Sequence, residues 1–238
     1  MKPLLIDNLS PLKNPPSNLE LANIIYFDAL SNAADIATIA YVRLRESLNI
    51  IVDKKNKDLD EFIPCYLDAW TVVDSIDRFL ELVKKNKKRL PIKNDSGLEK
   101  LTIHTSGIRE LRNVADHIAQ RIDRLASKKA SAMGELSWIS SNPTNPQASM
   151  KHFVYRPGYR LINTETKFQL PPSGQKIETP IGSITLQCES KAQNLSNAFI
   201  ALVEYVKDIE ILLAEHYSSK DFPKPHPRGL LVALHSAQ

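Results

Sequence analysis

Apolar residues return along this chain with two different periods. From residue 17 to about 48, Leu21, Ile24, Ile25, Ala29, Ala33, Ile36, Ala37, Ile39 and Leu44 follow one another with a roughly helical period. Ser17 and Glu20 have capping-box spacing, so this helix is expected to begin at 17. A second helix is expected from about Asp60 to Lys87, with Phe62, Cys65, Ala69, Val73, Ile76 and Leu80 on its apolar side. Pro64 fits only its first turn. "SGLE" (96–99) repeats the capping spacing and opens a third helix from about Leu98 to Ser127, with Gly107 as a weak point inside it. A fourth runs from about Ser190 to Tyr217, where Leu195, Phe199, Leu202, Val206, Ile209 and Leu213 share one face.

Between 130 and 188 the helical period stops. Pro and Gly recur, and short strand-like runs stand between them: 135–139, 151–155, 159–162 and 183–188. "ETPIGS" (178–183) reads as a turn between two strands. The expected fold is mainly α: an antiparallel four-helix bundle with a small antiparallel β insertion between the third and fourth long helices. Residues 1–16 carry four prolines and should form an extended arm; 17–218 form the bundle domain; 219–238 are a Pro-rich tail carrying the apolar run "LLVAL" (230–234). That run is expected to dock on the body or on another subunit.

Composition narrows the function classes. The chain has 238 residues, 42% hydrophobic and 24% charged, as in ordinary globular proteins. Its seven glycines form neither G-x-G-x-x-G nor G-x-x-x-x-G-K-[ST], which argues against a Rossmann or P-loop nucleotide enzyme. Cys65 and Cys188 form no C-x-x-C pair and fit reduced, packed thiols. No apolar run approaches the ~18 residues of a membrane span, and the first residues do not read as a signal peptide, so a cytoplasmic location is expected. No metal-ligand spacing appears, so neither metal nor cofactor is called for. A net charge of +4 permits an anionic partner without requiring one. "KKNKKR" (84–89) suits a helix C-terminus and would also serve as an anion patch.

The chemistry-bearing stretch is "GIRELRNVADHIAQRIDR" (107–124). On a continuous helix, Ile108, Leu111, Ala115, Ile118, Ile122 and Leu125 form one stripe, and Arg109, Arg112, Asn113, Asp116 and His117 fall opposite it. A polar helix face needs no function, and Arg112 with Asp116 could simply pair at i,i+4 for about 0.2–0.5 kcal/mol. Arg112-Asn113-x-x-x-His117 on a bundle helix nevertheless resembles the HEPN superfamily, helical bundles of which many are metal-independent ribonucleases. Many members carry Tyr two residues after the histidine; here that position is Ala119.

The resemblance implies catalytic roles for Arg112, Asn113 and His117. An imidazole titrates near ~6.5 and can pass a proton in attack of a ribose 2′-hydroxyl on the adjacent phosphate. Arg112 would grip the phosphoryl oxygens through its planar fork, and Asn113 would orient His117 or the substrate. On an ideal helix the two reactive residues lie about 140° and about 7.5 Å apart. A compact site would therefore need two facing copies: a homodimer through the third helix, with RNA as partner. The competing reading is a non-catalytic helical scaffold or regulator acting on a protein partner. Other candidates have plainer alternatives. His152, Tyr155, Arg156, Tyr159 and Arg160 form an aromatic–basic cluster that could stack single-stranded nucleic acid or simply alternate along a hairpin. His104 and His216 fit helical patterns.

Overall fold

The computed structural model describes residues 4–53, 59–128, 130–141, 150–157 and 177–218. Helix α1 (Leu21–Asp53) and helix α2 (Phe62–Lys85) form an antiparallel hairpin, with α6 (Leu195–Tyr217) packed across it. A four-stranded antiparallel sheet precedes α6 in sequence: β1 (Glu135–Ser140), β2 (Lys151–Tyr155), β3 (Ile181–Cys188) and β4 (Lys191–Asn194), in the order β2-β1-β3-β4. The architecture is thus mainly helical with one small antiparallel sheet.

The expected third long helix is instead three pieces: α3 (Asp95–His104), α4 (Ile108–Asp116) and, after a 3-10 turn at Ile118–Arg121, α5 (Ile122–Ser127). Its first break is made by a residue distant in sequence. The Gln193 side chain of β4 accepts from Gly107 N at 2.9 Å and donates to the His104 carbonyl at 2.7 Å. Backbone groups that a continuous helix would bond internally are satisfied here from outside. Gly107 is required by proximity: a Cβ there would stand 2.4 Å from the Ala192 carbonyl oxygen.

The starts of three helices also move. Residues 17–19 form a turn, with Leu19 N bonded to the Pro16 carbonyl, and α1 begins only at Leu21. Helix α3 is capped by Asn94, whose side chain accepts from Gly97 N, rather than by Ser96. Helix α6 is capped by Asn194 at the end of β4, so the sheet runs past its expected limit at 188. The stretch expected as a turn at 178–183 already contains the start of β3. The strand expected at 159–162 and the tail at 219–238 lie outside the described residues.

The N-terminal stretch is not an extended arm. Successive turns opened by Asp7 and Ser10 fold it back, burying Ile6 and Leu12. Proline excludes helix but not turns. Asp35 on α1 fixes this cover: it accepts from Leu5 N and Ile6 N and pairs with Lys13 Nζ at 2.7 Å.

The core lies between the hairpin, α6 and the inner face of the sheet. Phe27, Leu30, Tyr41 and Leu44 supply the α1 side, Ile76 and Phe79 the α2 side, and Ile184 and Leu186 the sheet. Tyr41 joins three elements: its hydroxyl donates to Glu178 at 2.5 Å and lies 2.9 Å from Ser196 Oγ, which itself accepts from Ile184 N. The expected α1 stripe is only partly the core stripe. Leu21, Ile25 and Ile36 are exposed, because α1 is apolar on two faces and a different one faces α6.

Candidate functional site

Helix α4 buries Ile108, Leu111 and Val114, so its stripe agrees with the periodic reading for its first turn and departs from it later. The helix stops at Asp116, and His117 (φ −115°, ψ 23°) leads into the 3-10 turn. Rotation per residue changes there, which leaves Ile122 exposed and Ile118 half-buried.

Arg112 does not point into water. Its side chain is 25% exposed and turns onto α2, where Nη1 meets Asp77 Oδ2 at 2.5 Å and Nε lies 3.4 Å from Asp74 Oδ1. Its own-helix neighbour Asp116 is farther, at 3.8 Å. Arg109 donates to the same Asp77 oxygen at 2.8 Å and reaches Glu81 at 3.1 Å. The hydrogen bond to Asp77 is the main influence raising both arginines above the usual guanidinium pKa, so both remain cationic. Asp77 is 3% exposed, and its two cationic partners offset the cost of burying a carboxylate.

Asn113 and His117 are exposed. The structure thus separates the three expected site residues: Arg112 belongs to an ion-pair network between α4 and α2, and the other two face outward. Asp74 and Asp77 were missing from the sequence reading, although one signal was present. Asp77 is four residues after Val73 and three before Leu80, on the buried stripe of α2, where a carboxylate requires a cationic partner.

The aromatic–basic cluster is engaged in packing. Tyr155 stacks on Phe62 with ring centroids 3.7 Å apart, and Arg156 pairs with Glu135, its Nε at 2.7 Å. Tyr159 and Arg160 lie outside the described residues. His152 is exposed on β2, and His104 and His216 are exposed on their helices.

Beside the ion-pair network lies a groove of about 750 Å³ between α1, α2 and the end of α4. Its walls are mainly apolar: Ala33 and Ile36 from α1, Leu67 and Trp70 from α2, Ala115 and Ile118 from the end of α4 and the 3-10 turn. Trp70 forms part of it with its indole N–H donated to the Met133 carbonyl at 3.3 Å. Asp74 marks the edge shared by groove and network, held by Arg78 at 2.8 Å as well as facing Arg112. Ile36 is 48% exposed and Leu67 60%. Large aliphatics left open on two adjacent helices are the outer face of α1 that core packing did not use, continued onto α2.

No protein-family model, no curated protein and no solved structure matches this chain. Among the described residues, no helix is long and apolar enough to cross a membrane.

Proposed function

We propose that this chain is a non-catalytic helical interaction protein that holds an apolar segment of a protein partner in the groove between α1 and α2. The observation that carries the reading is the contrast across Asp74. On one side Arg112 is consumed by Asp77 and Asp74; on the other, a groove large enough for several side chains is open and apolar. Helix-in-groove recognition uses such a surface, with anchors every three or four residues of the partner.

The HEPN-like ribonuclease is the second reading, favoured by the exposure of Asn113 and His117. It asks Arg112 to exchange two carboxylates for a phosphate, and asks a second copy to face α4. RNA cleavage with chelator present separates the two. The interaction reading expects no cleavage by wild type, His117→Ala or Arg112→Ala. Cleavage by wild type that His117→Ala abolishes would replace it with the nuclease. The groove itself is tested by titrating an amphipathic leucine–lysine peptide against Trp70 fluorescence, with Leu67→Asp as the variant expected to lose the response.

A further inference from the structure

We infer that Arg121, Arg124 and Lys128, gathered around the carboxylate of Glu189, bind a phosphomonoester dianion. These residues share none of the groove's lining, so the inference stands apart from the interaction reading.

The three cations follow one another along the end of the 3-10 turn and helix α5, and all meet one acceptor. Arg121 donates to Glu189 Oε1 at 3.2 Å. Arg124 Nη2 and Lys128 Nζ approach Oε2 at 2.9 and 3.8 Å. At 3.8 Å an ammonium is beyond hydrogen-bond reach, so the donors of Lys128 are not spent on Glu189. The Arg124 side chain is 56% exposed and that of Lys128 43%, so both can be reached from solvent.

Charge is left over at this point. Glu189, with its side chain 1% exposed, is the one carboxylate that these cations meet among the described residues. Asp123 on the same helix pairs with none of them, and Lys191 beyond the turn is taken by Glu110 at 2.8 Å. One negative charge against three positive leaves a surplus of two. Elsewhere in the protein a single lysine answers Asp35 and two arginines answer Asp77. The network between α4 and α2 has no positive surplus, since Asp74, Asp77, Glu81 and Asp116 face Arg78, Arg109 and Arg112.

The turn itself disfavours a glutamate. Cys188 pairs with Lys191 across β3 and β4, which leaves Glu189 and Ser190 as the hairpin connection, and Glu189 takes φ 54°. Glycine fits that left-handed backbone without a Cβ penalty. What glutamate supplies there and glycine cannot is a fixed carboxylate, on which the cations assemble before a ligand arrives.

The class of ligand follows from spacing and charge. Arg124 Nη2 and Lys128 Nζ stand against the same oxygen, close enough for one phosphate to receive a bond of about 2.8 Å from each. A phosphomonoester carries about −1.5 to −2 at neutral pH, the size of the surplus. A phosphodiester carries a single negative charge and leaves part of the surplus unmet.

Isothermal titration calorimetry on the full chain at pH 8 and low salt tests the site. Inorganic phosphate, glycerol phosphate and a phosphoserine tripeptide are the dianionic probes, and dimethyl phosphate is the monoanionic one. Wild type is expected to bind one inorganic phosphate per chain, and dimethyl phosphate about tenfold more weakly. Arg124→Ser with Lys128→Ser should weaken phosphate about tenfold. Lys128→Gln leaves both arginines on Glu189, so the fold is kept, and should weaken phosphate about threefold. Lys84→Ser with Lys88→Ser removes the same charge from the exposed basic run at 84–89 and should change nothing.

Tighter binding of glycerol phosphate than of the peptide assigns a free phosphate ester as the source, and the reverse assigns a phosphorylated protein; either supports the site. Absence of saturable binding by wild type overturns the inference, as does unchanged affinity in both Lys128 variants. An equal loss in the two double-serine variants marks a general charge effect and overturns it too. Dimethyl phosphate binding as tightly as phosphate has the same consequence.

Discussion

Asp77 Oδ2 accepts from both Arg109 and Arg112, at 2.8 and 2.5 Å, so one buried carboxylate on α2 binds two residues one turn apart on α4. The pairing sets the rotation of α4 about its axis and turns Arg112 away from any external anion. Removing the carboxylate strands a half-buried guanidinium. Asp77→Ala should therefore destabilise the fold by about 3 kcal/mol, at the low end for a broken buried pair because Arg109 can rehydrate. Arg112→Ala should cost about 2 kcal/mol, as a lost hydrogen bond to a charged group. Denaturant midpoints measure both. Loss of a cellular effect in Arg112→Ala is evidence for chemistry only if stability is held constant.

Gln193 makes the break between α3 and α4 possible, and its removal leaves Gly107 N without its acceptor. Gln193→Ala should cost about 1–3 kcal/mol. Gly107→Ala should cost a similar amount by forcing a methyl against the Ala192 carbonyl. Calorimetry on the two variants and their combination should give less than the sum, since both disturb one contact.

Asp35 anchors the folded N-terminal cover. Asp35→Ala removes the acceptor for Leu5 N and Ile6 N and leaves Lys13 buried without its carboxylate. The cost should be about 3–5 kcal/mol. Limited proteolysis should then cut within residues 4–19 before any other described segment. Equal protection in the variant would show that Ile6 and Leu12 hold the cover by packing alone.

Alkaline pH should unfold the protein. Burial pushes the Cys65 thiol and the Tyr205 hydroxyl up to about 12, and raises Tyr26, Tyr41 and Tyr66 in the same direction. Each group is then a weaker acid folded than unfolded. The stability it contributes is fully present below its unfolded pKa, about 8.5 for Cys and about 10 for Tyr, and is lost as pH rises toward the folded value. Denaturant midpoints should fall steadily from pH 9 upward. At neutral pH both buried thiols should resist alkylation until the chain unfolds.

Much of the helical framework was legible without coordinates, because local periodicity carries it. The α2 stripe from Phe62 to Val83 is the buried stripe, and Pro64 sits in the first turn as its missing N–H requires. The change of period after residue 130 marks the sheet. What periodicity could not decide was which of two apolar faces of α1 enters the core. That depends on where α6 crosses, so Phe27, Leu30 and Tyr41 went inside while Ile25 and Ile36 stayed out.

The candidate site divides the same way. The order Arg112-Asn113-x-x-x-His117 belongs to the sequence alone, as does the apolar run at 230–234. The break before α4 and the capture of Arg112 were decided by Gln193 and Asp77, residues 86 and 35 positions distant along the chain from the groups they hold. Local propensity acts over a few residues and marked helix, strand and turn candidates. Hydrogen-bond satisfaction and charge burial act through space, and only the assembled structure shows which distant groups meet.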